Sequence, residues 1–591
     1  MFFRHSGLQA GSNSFFNRPL CVFLLASWLG FPPSLALSAA KNAVGAPSDY
    51  LTLTGHIINP QEKGVKEVKV KLWVEGKPIR LSDELVTREG GDFHIMIPFP
   101  QGELPAAKME MEFSKPAYKS SGRIAVEHIL PDHRDAKGST YYLAHVDFTL
   151  HRAITPAFWI ATLILVGAYA LIAFELLHRT LAAMVGGALM LLISYTAGTF
   201  FPDYFILSFE DAIKAIDMNV IFLLMAMMII VGVMKKTGVF QWLALKSFEV
   251  ARGNIFALAA VLMFVTAFTS AFLDNVTTML LITPVTIEIS RALKVNPLSL
   301  MLPEVFASNV GGTATLIGDP PNIMIGSYAK LSFMDFAQNL TLICLICLAV
   351  TILYYLWYFK KDYRKADVGD IKEMTRKLRE DYRITDMKLL NLCLIVLGVT
   401  IFLFVIHGAL HMEPSIASLM GAGALLVLSR VNIVEMLEHE IEWPTLIFFM
   451  MLFIIVAGAE ETGLIQAIAD WVQDVSKGSL VVAVIMILWV SAIASAFIDN
   501  IPFTATMLPI VAYLNQVIPG AESGVLWWSL ALGACLGGNG TMIGASANVV
   551  TVGLAESMGH HISFMTYMRM AWWPMMITCA LAMGWLLFIE M

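Results

Sequence analysis

Charge is scarce in this chain: 14% of its 591 residues are Asp, Glu, Lys or Arg, against 57% hydrophobic. A soluble domain carries roughly a quarter of its residues charged, so a soluble globular protein is excluded. Cysteine is sparse too. Cys21, Cys344, Cys347, Cys393, Cys535 and Cys579 all fall in apolar runs, and none lies between residues 49 and 151, where the chain turns polar. That pattern offers neither a disulfide framework nor a zinc site; Cys344 and Cys347, which can share a helix face, read as packing residues. A phosphate loop behind a strand, a nucleophile elbow and a metal-ligand cluster are missing as well, so the chain is not expected to be an enzyme. No nucleic-acid partner is expected. What remains is long apolar runs with a mean hydropathy of +0.70, which is the composition of a polytopic membrane protein.

Those runs are duplicated. SAFLDN at Ser270–Asn275 returns as SAFIDN at Ser495–Asn500, so that Asp274 and Asp499 stand 225 residues apart. GGTATLIGDPPN (Gly311–Asn322) returns as GGNGTMIGASAN (Gly537–Asn548) at an offset of 226. Duplicated membrane halves with polar, Gly/Pro-broken segments in corresponding places are the mark of a secondary transporter whose site lies at the repeat interface.

Five segments follow. Residues 1–40, with Arg4 and Arg18 ahead of an apolar run and small residues after it, read as a secretory signal or an uncleaved anchor. Residues 49–151 carry short alternating strands: Val68, Val70, Leu72 and Val74 interleave with Lys69, Lys71, Trp73 and Glu75, and Gly90-Gly91 precedes another strand. This predicts an extracytoplasmic β-sandwich-like domain, either an accessory or a binding module. LTGHIINPQEKGVKEVKVKLWVEGK followed by GGDFHIMIP resembles transthyretin-like and carboxypeptidase-regulatory sandwiches. Membrane repeat 1 covers 157–359, a basic linker 360–387, and membrane repeat 2 388–591. Helices are expected near 157–178, 180–200, 218–234 and 338–359, then near 388–408, 414–430, 443–459 and from 564.

Lys and Arg set the orientation. The linker holds Lys360, Lys361, Arg364, Lys365, Lys372, Arg376, Lys377, Arg379 and Arg383, which places it in the cytoplasm. Lys235-Lys236 before Thr237-Gly238 become Glu460-Glu461 before Thr462-Gly463, and Arg252, Arg291 and Lys294 are answered by Asp470, Asp474 and Glu522. The repeats are therefore expected to be inverted, in a multi-pass protein of a bacterial inner (plasma) membrane.

The chemistry sits where the apolar runs break. Two short apolar stretches flank Asp274-Asn275, and two more flank Asp499-Asn500, which predicts re-entrant hairpins from opposite faces with these residues at their tips. Beside them, Gly311, Gly312, Gly318, Pro320 and Pro321, and Gly533, Gly537, Gly538, Gly540 and Gly544, are expected to break two helices and expose carbonyls and helix ends to an ion. Asn309, Thr313, Thr315, Asn322, Asn539, Thr541, Ser546 and Asn548 add neutral oxygens and amides, though such residues also serve as glue between membrane helices. Asp274 and Asp499 are the strongest candidates, since ionisable groups at membrane depth are costly and mark ion paths. Asp319 has Ala545 as its counterpart, so any role it has breaks the symmetry.

SAFLDNVTTMLLITPVTIEI followed by FASNVGGTATLIGDPPNIMIG resembles the ion transporter superfamily of dicarboxylate/sodium symporters, arsenite permeases and NhaD-type sodium/proton antiporters. The likeness covers residues 157–591 and is nearest to the citrate-transporter-like branch of the melanocyte P protein and its bacterial relatives. It implies a movable transport domain on a fixed scaffold, and a homodimer. In the dicarboxylate branch each tip reads Ser-Asn-Thr; here the tips read Asp274-Asn275-Val276 and Asp499-Asn500-Ile501, so only the asparagines carry over. An ionised tip aspartate repels a dicarboxylate. The expected activity is proton-coupled sodium exchange, with Asp274, Asn275, Asp499 and Asn500 as Na+ ligands, Na+ and H+ as coupling ions, and no other cofactor. The rivals are an anion permease for a citrate-like acid, arsenite or chloride, and, from another class, a channel or membrane sensor.

Single cysteines placed at residues 370 and 461 should label with an impermeant thiol reagent from opposite sides of the membrane. Labelling of both from one side would remove the inverted arrangement.

Overall fold

The computed structural model describes residues 48–590, apart from 60–63, 67, 80–84, 89, 101–107, 116–117, 136–138, 152, 175, 366–375 and 377–381. The expected signal or anchor and most of the basic linker lie outside the described residues. The chain divides into two compact units, one built mainly from residues before Phe148 and one dominated by Thr149–Met591.

The first unit is made of strands. One sheet runs β4 (Asp92–Pro100), β1 (Ser48–Ile58), β8 (Thr140–His145), β7 (Leu130–Arg134), with β9 (Phe148–Thr149) also on β1; the other runs β3 (Lys77–Pro78), β2 (Lys69–Val74), β5 (Met109–Ser114), β6 (Ile124–Ala125). β1 is antiparallel to β4, with Ser48 opposite Pro100, and parallel to β8, with Tyr50 opposite Tyr141. Period-two alternation buries Leu51, Leu53 and Ile57 on β1, Val70 and Leu72 on β2, and Met109, Met111 and Phe113 on β5. Trp73 breaks the alternation and is buried as well, because the Arg123 guanidinium lies 4.8 Å over its ring.

The second unit is helical, and its element order repeats. The first series is α1 (Pro156–Ala173), α2 (Arg179–Tyr195), α3 (Met218–Lys235), α4 (Val239–Ala251), α5 (Ile255–Ser270), α6 (Asn275–Ala292), α7 (Leu298–Thr313), α8 (Pro320–Ala329) and α9 (Phe333–Tyr358). The second is α10 (Met387–Ile406), α11 (Pro414–Ser429), α12 (Trp443–Glu461), α13 (Leu464–Ser476), α14 (Leu480–Phe497), α15 (Asn500–Val517), α16 (Val525–Gly537), α17 (Ser546–Ser557) and α18 (Phe564–Trp585). Among the described residues, 8 helices are long and apolar enough to cross a membrane, so the protein is a polytopic membrane protein. α9 starts earlier than hydropathy suggests, because Ser332 and Asp335 form a capping box. The hairpin arms also differ from expectation. α5 is a short helix of 16 residues, but its counterpart α14 has 18 residues at a mean hydropathy of 2.6 and qualifies as a span.

Packing exchanges helices between the series. α2 packs on α12 and α3 on α11, while α6 packs on α17 and α15 on α8. Within each series the first hairpin arm lies along the helix before the break, α5 on α7 and α14 on α16. Close approach of these pairs explains the glycine pairs of the repeated motif. A Cβ on Gly311 would lie 2.1 Å from the Ala267 carbonyl oxygen, and one on Gly537 would lie 2.4 Å from that of Ala492. Both glycines are still helical, so their role is to admit a neighbouring backbone, whereas the sequence suggested that they loosen the helix.

Gly311→Ala and Gly537→Ala should each cost roughly 1–3 kcal/mol through overpacking against backbone. Gly398→Ala, where nothing lies within 4 Å, should stay near neutral. Thermal unfolding of the detergent-solubilised variants measures the contrast.

Candidate functional site

Each repeat contributes two helix N-termini to one region. α6 and α15 begin immediately after the hairpin turns, and α8 and α17 begin after the breaks at 314–319 and 541–545. Asp274, Asp499 and Asp319 occupy the residue before α6, α15 and α8, and Ala545 the residue before α17. Short polar side chains belong there, since the first backbone N–H groups of a helix lack partners and its N-terminus is the positive end of the dipole. Asp274 accepts from the Thr277 N–H at 2.9 Å and Asp499 from the Ile501 N–H at 3.0 Å.

The breaks are held by one asparagine each. The Asn322 amide donates to the Thr313 and Thr315 carbonyls at 2.9 and 2.8 Å, and Asn548 donates to those of Gly538 and Thr541 at 2.8 and 2.9 Å. The threonine hydroxyls are used in the same structural way. Thr315 donates to the Ala271 carbonyl at 2.5 Å, Thr541 to that of Ala496, and Thr313 to that of Asn309 in its own helix. Three of the predicted site residues therefore spend their hydroxyl protons on backbone.

Four asparagines form a buried chain across the repeats. Asn275 donates to Asn309 at 3.0 Å, and the Asn309 amide donates to both Asn539 and Asn548 at 3.0 Å. The Asn539 amide nitrogen is buried with no hydrogen-bond partner among the described residues. Asp319, 1% exposed, joins the two hairpin tips: Asn500 reaches its carboxylate oxygens at 3.4 and 3.5 Å, and Asn275 and the Cys535 thiol lie against it. The residue that breaks the repeat symmetry thus occupies the centre of the cluster.

Asp499 has a different setting. Its carboxylate accepts from Ser546 at 2.8 Å and faces Arg179 at 3.5 Å, with the two side chains 9% and 23% exposed. Arg179 also donates to Ser546 at 2.5 Å and to Thr445 at 3.0 Å, and its guanidinium lies 5.5 Å over the Phe448 ring. Arg179, Asp499, Ser546, His178 and Glu442 line a cavity of about 520 Å³ whose other walls are apolar. Asp274, half-buried, has no hydrogen bond to the asparagine chain among the described residues and lies within electrostatic range of Glu442. The two tip aspartates are therefore not equivalent, although their motifs are.

Sequence reasoning missed Arg179, Thr445 and Cys535. Arg179 carried one visible signal, a lone arginine between two apolar spans. Cys535 is the counterpart of Asn309 at the 226-residue offset and lies in an apolar run.

The citrate transporter profile matches residues 169–533 of the chain. The chain belongs to the citrate transporter family. An uncharacterized transporter of Mycobacterium tuberculosis is 42% identical over 412 residues, covering 69% of this chain and 93% of that protein. A 46 kDa membrane protein of Mycobacterium leprae is 39% identical over 433 residues, covering 72% and 96%. The P protein of Homo sapiens is 35% identical over 503 residues, covering 72% of this chain and 59% of the P protein. The solved transporter YdaH of Alcanivorax borkumensis aligns over 69% of this chain at 13% identity and a TM-score of 0.48, too remote to bear on site or mechanism. The matched family region contains Arg179, Asp274, Asp319 and Asp499 but ends before Asn539 and Asn548.

The Arg179–Asp499 pair is partly shielded and shares Ser546, so its members should be coupled. A double-mutant cycle of Arg179→Gln and Asp499→Asn, read by thermal unfolding, should give a coupling of roughly 0.5–3 kcal/mol. Additive effects would mean that the pair contributes nothing.

Proposed function

We propose that this protein is a secondary active transporter working by alternating access, which exchanges protons for a monovalent cation, Na+ foremost. One observation carries the reading: two carboxylates from different repeats, Asp319 and Asp499, flank Asn500 inside a cluster of neutral amides. A carboxylate at membrane depth needs a proton, a cation or a basic partner to offset its charge. No basic side chain pairs with Asp319 among the described residues, so a proton and Na+ compete for it, and exchange follows from the competition. Asn275, Asn309, Asn500 and Asn539 supply oxygens for Na+, while Asn322, Asn548, Thr315 and Thr541 hold the breaks.

Inverted repeats and an elevator-like motion belong to the same proposal. The exchanged packing of α2 on α12 and α3 on α11 supports a two-fold relation between a scaffold and a movable part holding α5–α8 and α14–α17. Thr385, at the end of the basic linker, donates to the Thr237 carbonyl at 3.0 Å, and Lys235 pairs with Glu440 at 3.1 Å. This supports one cytoplasmic end for Lys235, Lys236 and the linker, with Glu460-Glu461 one helix length away at the far end of α12. Residues 49–151 then face the exterior of a bacterial inner membrane. The family resemblance adds a homodimer.

A second reading has its own support. Arg179 and Ser546, beside the N-termini of α15 and α17, give the 520 Å³ cavity donors suited to a small anion such as a citrate-like carboxylate. In that reading the aspartates carry the coupling protons.

Uptake into proteoliposomes under imposed pH and Na+ gradients, with citrate and chloride as competing substrates, separates the two. For Na+ exchange, each pH unit below the carboxylate's midpoint should raise the Na+ concentration needed for half-saturation about tenfold, since protonation removes the ligand. Asp319→Asn and Asp499→Asn should leave a folded protein without coupled exchange. Acid-stimulated citrate uptake without Na+ dependence at any pH would overturn the cation reading in favour of the anion.

A further inference from the structure

A carboxyl outside this cluster is buried more completely than the tip aspartates. Glu304, in the middle of α7, is 0% exposed, and its neighbours along the helix, Met301, Leu302 and Val305, are buried apolar side chains. One oxygen accepts from the Thr286 hydroxyl on α6 at 2.9 Å; the other, Oε2, has no hydrogen-bond partner among the described residues. Among the described residues no Lys, Arg or His pairs with it. An ionised carboxylate in such a place would bear nearly the whole cost of desolvation, so the group holds a proton in this conformation.

The fold does not require an acid here. At the offset that relates Gly311 to Gly537, Glu304 corresponds to Leu530, which is buried at the same place in α16. One repeat fills the position with an apolar side chain of similar length and the other retains a carboxylic acid at a large cost, which is the usual sign of a functional group in a membrane. Further polar groups lie along α6 between Thr286 and the hairpin tip. The hydroxyls of Thr278 and Thr283 are both buried and without partners among the described residues, and at 1.5 Å per residue Thr286 stands about 16 Å along the helix from Asn275.

The ionisable surroundings are neutral or remote. Tyr363, whose hydroxyl donates to the Ser299 carbonyl at 2.5 Å, is within electrostatic reach of Glu304. Of the helices packed on α7, α5 carries no ionisable residue. α9 contributes the buried Tyr355, Cys344 and Cys347, α16 contributes Cys535, and α18 contributes Tyr567 and Cys579. The charged residues of α6, α17 and α18, namely Glu288, Arg291, Glu556 and Arg569, are exposed, and Asp335 is engaged in the cap of α9.

We propose that Glu304 is a second proton-binding site of the transport cycle, separate from the Asp319–Asp499 cluster; this rests on the transporter reading above. In the step it performs, the O–H bond of the acid breaks, its electron pair stays on the carboxylate, Thr286 keeps donating to that carboxylate, and the proton leaves to bulk water. Reprotonation on the other side of the cycle reverses the step.

Two measurements on the full-length chain in proteoliposomes test it. Infrared difference spectra, which need no substrate, should show a protonated-carboxyl stretch that is lost as pH is raised within roughly pH 5–10 and that is absent in Glu304→Gln. If Glu304→Gln fails to fold, Thr286→Val, which keeps the acid but removes its donor, should move the pH at which the band is lost. A band that survives Glu304→Gln, ignores pH, or does not move in Thr286→Val would overturn the site. In transport, Glu304→Gln should carry one proton fewer per turnover than the parent, and an unchanged ratio would make the proton structural. If neither Na+ nor citrate is taken up by the parent protein, the transporter reading fails by itself, while the infrared titration still decides whether Glu304 exchanges its proton.

Discussion

A helix that breaks in apolar surroundings frees backbone carbonyls and N–H groups that water cannot satisfy, and the centre of this protein is organised around meeting that demand. Asn322 and Asn548 meet it in the same way in the two repeats, each donating to two carbonyls of its own break. Thr315 and Thr541 then tie each break to the first hairpin arm through the Ala271 and Ala496 carbonyls. These bonds form only if hairpin and broken helix are nearly in backbone contact, which the glycines at 311 and 537 permit. Close packing and polar satisfaction are thus one constraint, and it accounts for most of the repeated motif.

Once the duplicated frame is in place, function has to lie in the departures from symmetry. Asp319 against Ala545, Asn309 against Cys535 and Glu304 against Leu530 all put the more polar member in the first repeat. The second repeat receives its charge balance from outside the motif, through Arg179 on α2. A symmetric cage of neutral amides would bind ions weakly and without coupling. In the proposed exchange, the added carboxylates would supply groups whose charge must be offset differently as protons and ions come and go. The Arg179 pair also bridges α2, in the proposed scaffold, and α15 and α17, in the proposed movable part, so any change in the state of Asp499 is felt at that boundary.

Much of the architecture was legible in the residues. Hydropathy located the long helices, because a run of about twenty apolar residues has few alternatives in a chain this poor in charge. The paired offsets of 225 and 226 marked the hairpins and breaks; Asp274 and Asp499 were singled out because acids at membrane depth are costly, and Asn275 and Asn500 by their place at the tips and by the family resemblance. The strands at 49–151 were legible from period-two alternation, apart from Trp73, whose ring lies under the Arg123 guanidinium from about fifty residues on.

The chain by itself determined which segments are apolar, where they break and that the breaks come in pairs, because these properties depend on neighbours in sequence. Tertiary structure decided which polar atoms remain available. It spent the Thr313, Thr315 and Thr541 hydroxyls on backbone, separated Asp274 from the asparagine chain, brought Arg179 to Asp499, and put Asp319 between tips that come from residues 275 and 500. Those outcomes rest on contacts between groups hundreds of residues apart, and no local pattern encodes which donor reaches which acceptor once the helices have packed.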